Sequence, residues 1–510
     1  MRGVRSGGRA AFTAGLVLVL TVLTASAGRR SSPVSPDRRS ATAGAVSTTI
    51  AWRACTDDEM ADVGEPFRSQ MQCAFLNVPV DYEHPQGRTL RLFVSRRPST
   101  APDPLGPLFV NQGGPGKEAA RYAVSIAAFP AFDRFDIVGM DPRGTGRSTH
   151  LHCRESLAKL PAVSAGTDGE YRTFVHAADA FSRSCAEDPN LPFFGSNNVA
   201  RDMDRIRELL GAEQISYFGK SYGSDLGTAY AVQFPNRVRA AVLDGATDLT
   251  LDPVDFVIQQ ARAGRRAFDA YLAHCLAGEC AWTRGEDPAT AWAQLVRHRN
   301  SDPLKDPESG SRITGDTLLD FAHDSGGAPY GDIDAALDAL VLHKDASAFV
   351  PSQLDAEAER DAVAFFAITC LDLPVHRFHP ALARLRDAVG DPPSGSIQVL
   401  ALCAAWPKPG DPVVVRRLPA GSRVMVVSTR GDVPTPYESG VGLARALDVP
   451  LLTWEANAHT AYLFSPCVAQ YANRLLVDLQ TISPDGASCP NDNVASDSAP
   501  ESDEPDLPAT

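Results

Sequence analysis

Short apolar runs alternate with helical segments along much of this 510-residue chain. Six runs have the length and the β-branched content of strands, and several lack polar alternation, which is typical of strands buried on both faces. The predicted strands are Leu108–Asn111, Phe135–Met140, Ile215–Phe218, Ala240–Leu243, Val424–Ser428 and Leu451–Trp454. Strands that alternate with helices predict an α/β fold with a mostly parallel sheet and helices on both of its faces.

This alternation stops between residues 251 and 415. Helical segments such as Phe256–Cys275 and Ala356–Ile368 follow one another there, without a comparable series of strands. Because strand-like runs resume afterwards, we interpret the segment as a helical cap inserted into the sheet domain, rather than as a separate domain. The sequence therefore predicts a core made of residues 49–250 and 416–489, with a cap over residues 251–415.

Both ends of the chain differ from this pattern. Three arginines precede the apolar run Ala10–Leu23 and the small residues Ala25–Ala27, the order of a signal peptide over residues 1–27. The run is shorter than the roughly 20 residues that a bilayer requires. Residues 28–48 are predicted to be a linker or short pro-segment, and the acidic, Pro-rich residues 490–510 a disordered tail. We expect a secreted, extracellular protein without a membrane anchor after signal removal.

The chain has ten cysteines, an even number, and in an exported protein this favours disulfides. Sequential pairing would give five local bridges, although spacing alone does not fix the connectivity. The expected pairs are Cys55 with Cys73, Cys153 with Cys185, Cys275 with Cys280, Cys370 with Cys403 and Cys467 with Cys489.

The formal net charge of −14 argues against nucleic acid or an anionic membrane as a partner. The absence of a CxxC pair weakens a zinc-site interpretation. The sequence implies no metal and no organic cofactor.

The strongest chemical motif is Gly219-Lys-Ser221-Tyr-Gly223, which follows the predicted strand Ile215–Phe218 and precedes the helical stretch Leu226–Phe234. A strand, a GxSxG turn and a helix in this order are typical of a nucleophile elbow, in which small residues let the strand and the helix approach each other. The motif predicts Ser221 as a nucleophile.

A serine nucleophile requires a base, commonly a histidine that a carboxylate orients. In folds with this elbow the acid follows the serine along the chain and the histidine comes last. Asp432 follows one predicted strand and His459 follows the next, so both are expected at the same sheet edge as Ser221. Asp244, just after the predicted strand Ala240–Leu243, is the rival acid.

An oxyanion needs fixed backbone N–H donors. The predicted strand Leu108–Asn111 runs into a glycine-rich turn, so we expect the Gly113 and Gly114 amides, together with that of Tyr222, to form the oxyanion hole. A phosphate-binding loop is the alternative, but the GxxxxGK[ST] spacing is missing here.

Eight motifs carry a resemblance to a known family. They are NQGGPG at 111–116, FDIVGMDPRGTGRS at 135–148, YFGKSYGS at 217–224, VLDGATD at 242–248, AITCLD at 367–372, CAAWP at 403–407, GDVPTP at 431–436 and AHTAY at 458–462. In this collinear order, over about residues 50–490, the chain resembles secreted bacterial tripeptidyl aminopeptidases, relatives of the prolyl aminopeptidases with an α/β-hydrolase fold.

The resemblance implies a serine exopeptidase that releases short peptides, typically tripeptides, from free N-termini through an acyl-enzyme. It implies Ser221 as nucleophile, Asp432 as acid and His459 as base, and it makes Asp372 a candidate for binding the substrate's amine. Two positions depart from the family pattern: Gln112 stands where His is frequent, and Ala458 stands where Gly often precedes the histidine.

Other functions remain open on the sequence. An esterase or lipase of the same fold would share the triad and ignore the substrate's amine, whereas a prolyl aminopeptidase would release a single residue. A binding protein without catalysis is disfavoured because all three triad residue types are present in order. An epoxide hydrolase is disfavoured because such enzymes place Asp where Ser221 stands.

Overall fold

The computed structural model describes residues 45–492 except 62, 162, 164–167, 279, 308, 351–353 and 408–409. The predicted signal peptide, most of the predicted linker and the acidic tail from residue 493 lie outside these residues. In the part of the chain that is described, a ten-stranded, mostly parallel sheet has helices on both faces, which confirms the predicted α/β fold.

The strands of this sheet are β1 (Arg53–Ala54), β2 (Gln72–Pro79), β3 (Thr89–Arg97), β4 (Gly106–Asn111), β5 (Phe135–Met140), β6 (Ile215–Lys220), β7 (Val238–Asp244), β10 (Val424–Thr429), β11 (Leu451–Trp454) and β12 (Ala487–Cys489), while β8 (Leu304–Lys305) and β9 (Arg312–Ile313) form a separate two-stranded ribbon. The helices are α1 (Phe67–Gln70), α2 (Ala119–Ala127), α3 (Asp168–Cys185), α4 (Ser196–Leu209), α5 (Tyr222–Gln233), α6 (Pro253–Ala277), α7 (Pro288–Ser301), α8 (Gly315–Asp324), α9 (Tyr330–His343), α10 (Ala356–Asp372), α11 (Phe378–Val389), α12 (Ser394–Ala405), α13 (Tyr437–Leu447) and α14 (Pro466–Asp478).

The strand order is β1-β2-β3-β5-β4-β6-β7-β10-β11-β12. All six predicted strands are present, and they are the neighbouring parallel strands β5, β4, β6, β7, β10 and β11. The antiparallel strands β2 and β3 were not predicted. Because parallel strands end at one edge, the residues that follow β4, β6, β10 and β11 are brought to the same side of the sheet.

The central strands are buried on both faces, which explains their unbroken apolar runs. Phe218 and Val427 pack into the core on one face of the sheet, whereas the adjacent residues Tyr217 and Val426 pack into the core on the other face. Each of these two cores is covered by helices, so the sheet can present catalytic groups only at its edges.

Between β7 and β10 the described chain consists of helices α6–α12 and the β8–β9 ribbon, and contributes no strand to the main sheet. We call helices α6–α12 and α3 the helical layer. Helix α3 precedes the predicted cap in the chain but packs against the cap helices: Phe181 contacts Trp406, with ring centroids 6.4 Å apart. The domain limits at residues 251 and 415 stay a prediction. Within the described residues, no helix combines the length and apolar character that crossing a bilayer would require.

All five predicted disulfides are present, and no described cysteine is free. Two of the three bridges in the helical layer join Cys153 to Cys185 and Cys370 to Cys403, and the third joins Cys275 to Cys280. The second bridge joins α10 to α12, so it holds together two helices that pack over the core.

A fully buried ion pair fixes the loop after β5. The Arg143 guanidinium donates to both carboxylate oxygens of Asp202 at 2.6 and 2.7 Å, and to the Val80 carbonyl at 2.8 Å. The Tyr82 hydroxyl donates to the same carboxylate at 2.7 Å. The Arg143 guanidinium stays charged among these acceptors, but its burial is stable only while the Asp202 carboxylate compensates the charge.

We expect Asp202→Ala to lower the free energy of unfolding by about 3–5 kcal/mol, because it leaves the Arg143 charge buried without its partner. Urea unfolding followed by circular dichroism measures the change. Asp57→Ala is the matched control: Asp57 pairs with Arg68 at 3.2 Å but is 93% exposed, so its loss should leave stability nearly unchanged. An equal loss in both variants would contradict the account.

Candidate active site

Ser221 lies on a sharp turn between β6 and α5, with φ 56° and ψ −130°. A non-glycine residue held in this conformation is strained, typically by about 1–3 kcal/mol. A Cβ atom at Gly219 would collide with the Gly223 carbonyl, so glycine is required for the strand and the helix to approach here. This is the strand–turn–helix context that the sequence predicts for a nucleophile elbow, and Ser221 is 6% exposed within it.

Asp432 and His459, the predicted acid and base, lie together at the edge of the sheet. Nδ1 of His459 is 3.0 and 3.1 Å from the two carboxylate oxygens of Asp432. Asp432 is buried and His459 is 17% exposed. Because Nδ1 faces the carboxylate, Nε2 is the ring nitrogen that remains for exchanging a proton with a nucleophile.

Thr435 was missed by the sequence analysis, although it lies in the GDVPTP segment. Its N–H donates to one oxygen of Asp432 at 2.9 Å and its hydroxyl to the other at 2.8 Å. The hydroxyl oxygen is also 3.4 Å from Nδ1 of His459. Donors on both oxygens fix the plane of the Asp432 carboxylate and with it the direction of the imidazole.

The glycine turn after β4 lies against the elbow. A Cβ atom at Gly113, where φ is +107°, would be 2.7 Å from the Lys220 carbonyl oxygen and 2.8 Å from Cβ of Ser221. The Gly113 N–H donates to Oδ1 of Asn111 at 2.9 Å, so it is occupied in this structure. The Tyr222 N–H is at the first position of α5, where helices leave amides without internal partners. Gly114 and Tyr222 are therefore the more available of the predicted donors.

The two departures from the family pattern lie at the site. Gln112 spans the glycine turn, with its side-chain amide donating to the Glu118 carbonyl at 3.0 Å. Ala458 lies against the helical layer, since a Cβ atom at Gly327 would be 3.7 Å from Cα of Ala458 and 3.9 Å from N of His459. The turn between α8 and α9 thus lies next to the backbone that leads into the histidine.

Asp372, the candidate amine-binding residue, ends α10 and is connected to the elbow by hydrogen bonds. Its oxygens accept from the Ser196 N–H at 2.9 Å and the Ser196 hydroxyl at 2.5 Å, and this hydroxyl is 2.7 Å from the Tyr222 hydroxyl. Burial raises the pKa of Asp372 to about 7. The carboxyl lies in an environment that favours its neutral form unless a cation approaches.

Asp225, a second carboxyl near Tyr222, was also missed. It lies one helical turn after Ser221, is partly buried and accepts from the Thr247 hydroxyl. Burial raises the pKa of Asp225 to about 8, and the negative charge of Asp372 adds to the effect. A carboxylate four residues after the predicted nucleophile was the available sequence signal.

Among the described residues, one cluster combines side chains that can ligate a metal ion: Cys275, Cys280 and Asp334. The two cysteines are bonded to each other, so neither offers the thiolate that a metal would require.

Two family models match the chain. Residues 106–323 match the model of the alpha/beta hydrolase fold, and residues 393–489 match that of TAP-like proteins. The two matches fall on the first part of the sheet with its elbow, and on the part that contains Asp432 and His459.

Curated relatives cover most of the chain. Serine protease Hip1 of Mycobacterium tuberculosis is 32% identical over 472 residues, which span 82% of this chain and 87% of the relative. Carboxylesterase B of the same species is 34% identical, spanning 80% and 84%. Tripeptidyl aminopeptidase of Streptomyces lividans is 26% identical, spanning 89% and 90%.

We expect Gly113→Ala to lower the rate of p-nitrophenyl ester hydrolysis by about 100-fold or more, because the added methyl group pushes the glycine turn away from the elbow. The matched control is Gly106→Ala. Gly106 also has a positive φ of 88°, but a Cβ atom there meets nothing within 4 Å. Both variants carry the backbone strain, and only the first displaces the turn. Equal rates for the two would contradict the assignment of this turn to the site.

Proposed function

Because this chain belongs to the α/β-hydrolase family of TAP-like serine peptidases, we propose that Ser221 is its nucleophile, His459 its general base and Asp432 the orienting carboxylate. The observation that carries this proposal is the His459–Asp432 pair at 3.0 Å, at the sheet edge where the strained elbow presents Ser221. The enzyme is a serine hydrolase, and these residues account for its chemistry.

In the proposed reaction, Oγ of Ser221 attacks the substrate carbonyl while Nε2 of His459 accepts the hydroxyl proton. The oxyanion that forms accepts hydrogen bonds from the backbone amides of Gly114 and Tyr222. The histidine then returns the proton to the leaving amine, which leaves an acyl group on Ser221. Water, deprotonated by the same histidine, releases the acyl product.

We propose that the substrates are peptides with free N-termini and that Asp372 binds the terminal ammonium group. A buried carboxyl with a raised pKa lacks a cationic partner, and a substrate ammonium supplies one. Two of the acceptor sites of the carboxylate are used by Ser196, and the others remain for the substrate.

The position of Asp372 favours release of a tripeptide. Three extended residues span about 10 Å. The path from the elbow to Asp372 runs along the side chain of Tyr222 and two hydrogen bonds of 2.7 and 2.5 Å, which is a length of the same order. We propose on this basis that an ammonium at Asp372 places the third peptide bond, rather than the first, near Ser221.

Release of a single residue is the alternative, and Asp225 is the observation that favours it. Asp225 follows Ser221 by four residues and lies in the first turn of α5. An ammonium bound there would place the first peptide bond near the nucleophile. Esterase activity is a further alternative, and it would not depend on the amine.

We propose that the enzyme is exported and acts outside the cytoplasm. Five disulfides support this proposal, since such bonds persist in oxidising compartments.

We expect cleavage of Ala-Ala-Ala-p-nitroanilide and no cleavage of its N-acetylated form, because acetylation removes the charge that Asp372 binds. Release of p-nitroaniline measures both. Ser221→Ala, the control, should reduce the rate by about 10⁶-fold. Equal cleavage of the two substrates would exclude an aminopeptidase while leaving a serine hydrolase.

A second experiment distinguishes Asp372 from Asp225 as the carboxyl that binds the substrate's ammonium group. Asp372→Asn should raise KM for the tripeptide substrate about tenfold or more, because a charge-assisted hydrogen bond is lost. In the unmodified enzyme this KM should fall as pH rises through about 7, where Asp372 ionises. Asp225→Asn is the matched variant. If it raises KM more than Asp372→Asn does, and Ala-p-nitroanilide is the better substrate, single-residue release replaces the tripeptide proposal.

A further inference from the structure

Asp244 is the carboxyl that the sequence offered as the rival acid, and it has no hydrogen bond to His459 in the structure. It is the last residue of β7, is 1% exposed and lies between the ends of two neighbouring strands. In the sheet it is paired with Lys220 of β6 on one side and with Val427 of β10 on the other. It therefore lies beneath both the elbow and the loop of the acid.

The main chain of Asp244 holds the elbow. Its carbonyl oxygen accepts from the Ser221 N–H at 2.7 Å. This hydrogen bond fixes the amide of the one residue in the elbow whose backbone is strained, and so contributes to the direction of the Ser221 side chain.

The side chain of Asp244 holds the loop that follows the histidine. Its Oδ1 and Oδ2 accept from the Ala461 N–H at 2.9 and 3.0 Å, and its Oδ2 also accepts from the Tyr462 N–H at 2.8 Å. The preceding residue, Thr460, has a φ of +63° and donates its N–H to Asp432 at 3.2 Å. Three successive amides after His459 thus point at two carboxylates, an arrangement of backbone N–H groups that binds anions.

We propose that Asp244 is a positioning residue for the reaction: one residue joins the nucleophile's backbone to the base's backbone, and its ionised carboxylate sets the distance between Ser221 and His459. This proposal rests on the proposed roles of Ser221 and His459. Asp432 orients the imidazole ring, and Asp244 holds the backbone that carries it.

The charge of Asp244 makes this arrangement dependent on pH. Burial raises the pKa of Asp244 to about 6, while the two amides and the charges of Lys220 and His459 lower it. The carboxylate of Asp432 also lies close by, on the Thr460 amide. When Asp244 takes up a proton, one of its oxygens becomes a donor that faces backbone N–H groups. Acidification should then loosen the histidine loop.

The test uses the rate at which diisopropyl fluorophosphate modifies Ser221, because this small neutral reagent needs the nucleophile and the base but no peptide pocket. Peptide mapping first establishes that the reagent modifies Ser221. If it does not, the proposed nucleophile is wrong and the Asp244 proposal falls with it. If it does, the rate constants of the Asp244 variants test the role of Asp244 independently of the identity of the nucleophile.

We expect Asp244→Asn to lower the second-order rate constant of modification at pH 7.5 by about tenfold to 100-fold, since Asn turns an NH₂ group toward backbone N–H donors. Asp320→Asn is the matched control. Asp320 is likewise a hydrogen-bonded carboxyl whose pKa burial raises, here to about 7, but its donors are the N–H and the hydroxyl of Ser394, at 2.6 and 2.7 Å. It should cost stability without changing the rate constant, and circular dichroism verifies that each variant is folded.

The pH profile of the unmodified enzyme tests the proposal even if the Asp244→Asn variant does not fold. Plotted as the logarithm of the rate constant against pH, the acid limb of the unmodified enzyme should be steeper than one just below pH 6, where Asp244 takes up a proton, and the extra loss should total about tenfold to 100-fold. Asp244→Asn should show a slope of one. An unmodified enzyme with a slope of one down to pH 4.5 would overturn the proposal, and so would a folded Asp244→Asn with the wild-type rate constant.

Discussion

The close contact of three backbone segments at Ser221 is the constraint on which the site depends. Gly113 lies against Cβ of the serine, Gly219 approaches Gly223 across the turn, and the Ser221 amide is fixed by the Asp244 carbonyl. Together these contacts hold a non-glycine residue at positive φ, at a cost of about 1–3 kcal/mol. The same contacts that create the strain bring the glycine turn and the helix N-terminus, the proposed oxyanion donors, close to Ser221, the proposed nucleophile.

Two carboxylates share the backbone amides that follow His459, and this explains how the loop can be rigid without regular structure. Asp432 binds the imidazole and the Thr460 amide, whereas Asp244 binds the next two amides. Thr435 completes the acceptor sites of Asp432. His459, the proposed base, is therefore held by polar groups from the ends of β7 and β10, and its position follows from the register of the parallel strands.

The sequence predicts the central sheet well, because buried parallel strands leave long apolar runs such as Val424–Ser428. It does not predict β3, where arginines interrupt the run, because Arg97 is buried and its two terminal NH₂ groups donate to Asp133 and the Phe132 carbonyl. Such a burial depends on partners that are distant in the chain. The proposed triad could be read from motif and order, whereas Thr435 and Ser196 could not, since single hydroxyl residues carry no pattern. The sequence also gave no sign that α3 joins the helical layer, because that contact is made only in the folded chain.

The central claim is that Ser221 forms an acyl-enzyme with His459 as its base. The most direct measurement is a rapid-mixing experiment with a p-nitrophenyl ester, followed by acid quench and peptide mass spectrometry. The account predicts a burst of one p-nitrophenolate per enzyme and an acyl group on the peptide that contains Ser221, with the burst slowed strongly in His459→Ala. Turnover without a burst and without an adduct would leave acylation unsupported, and an adduct on any residue other than Ser221 would contradict the account.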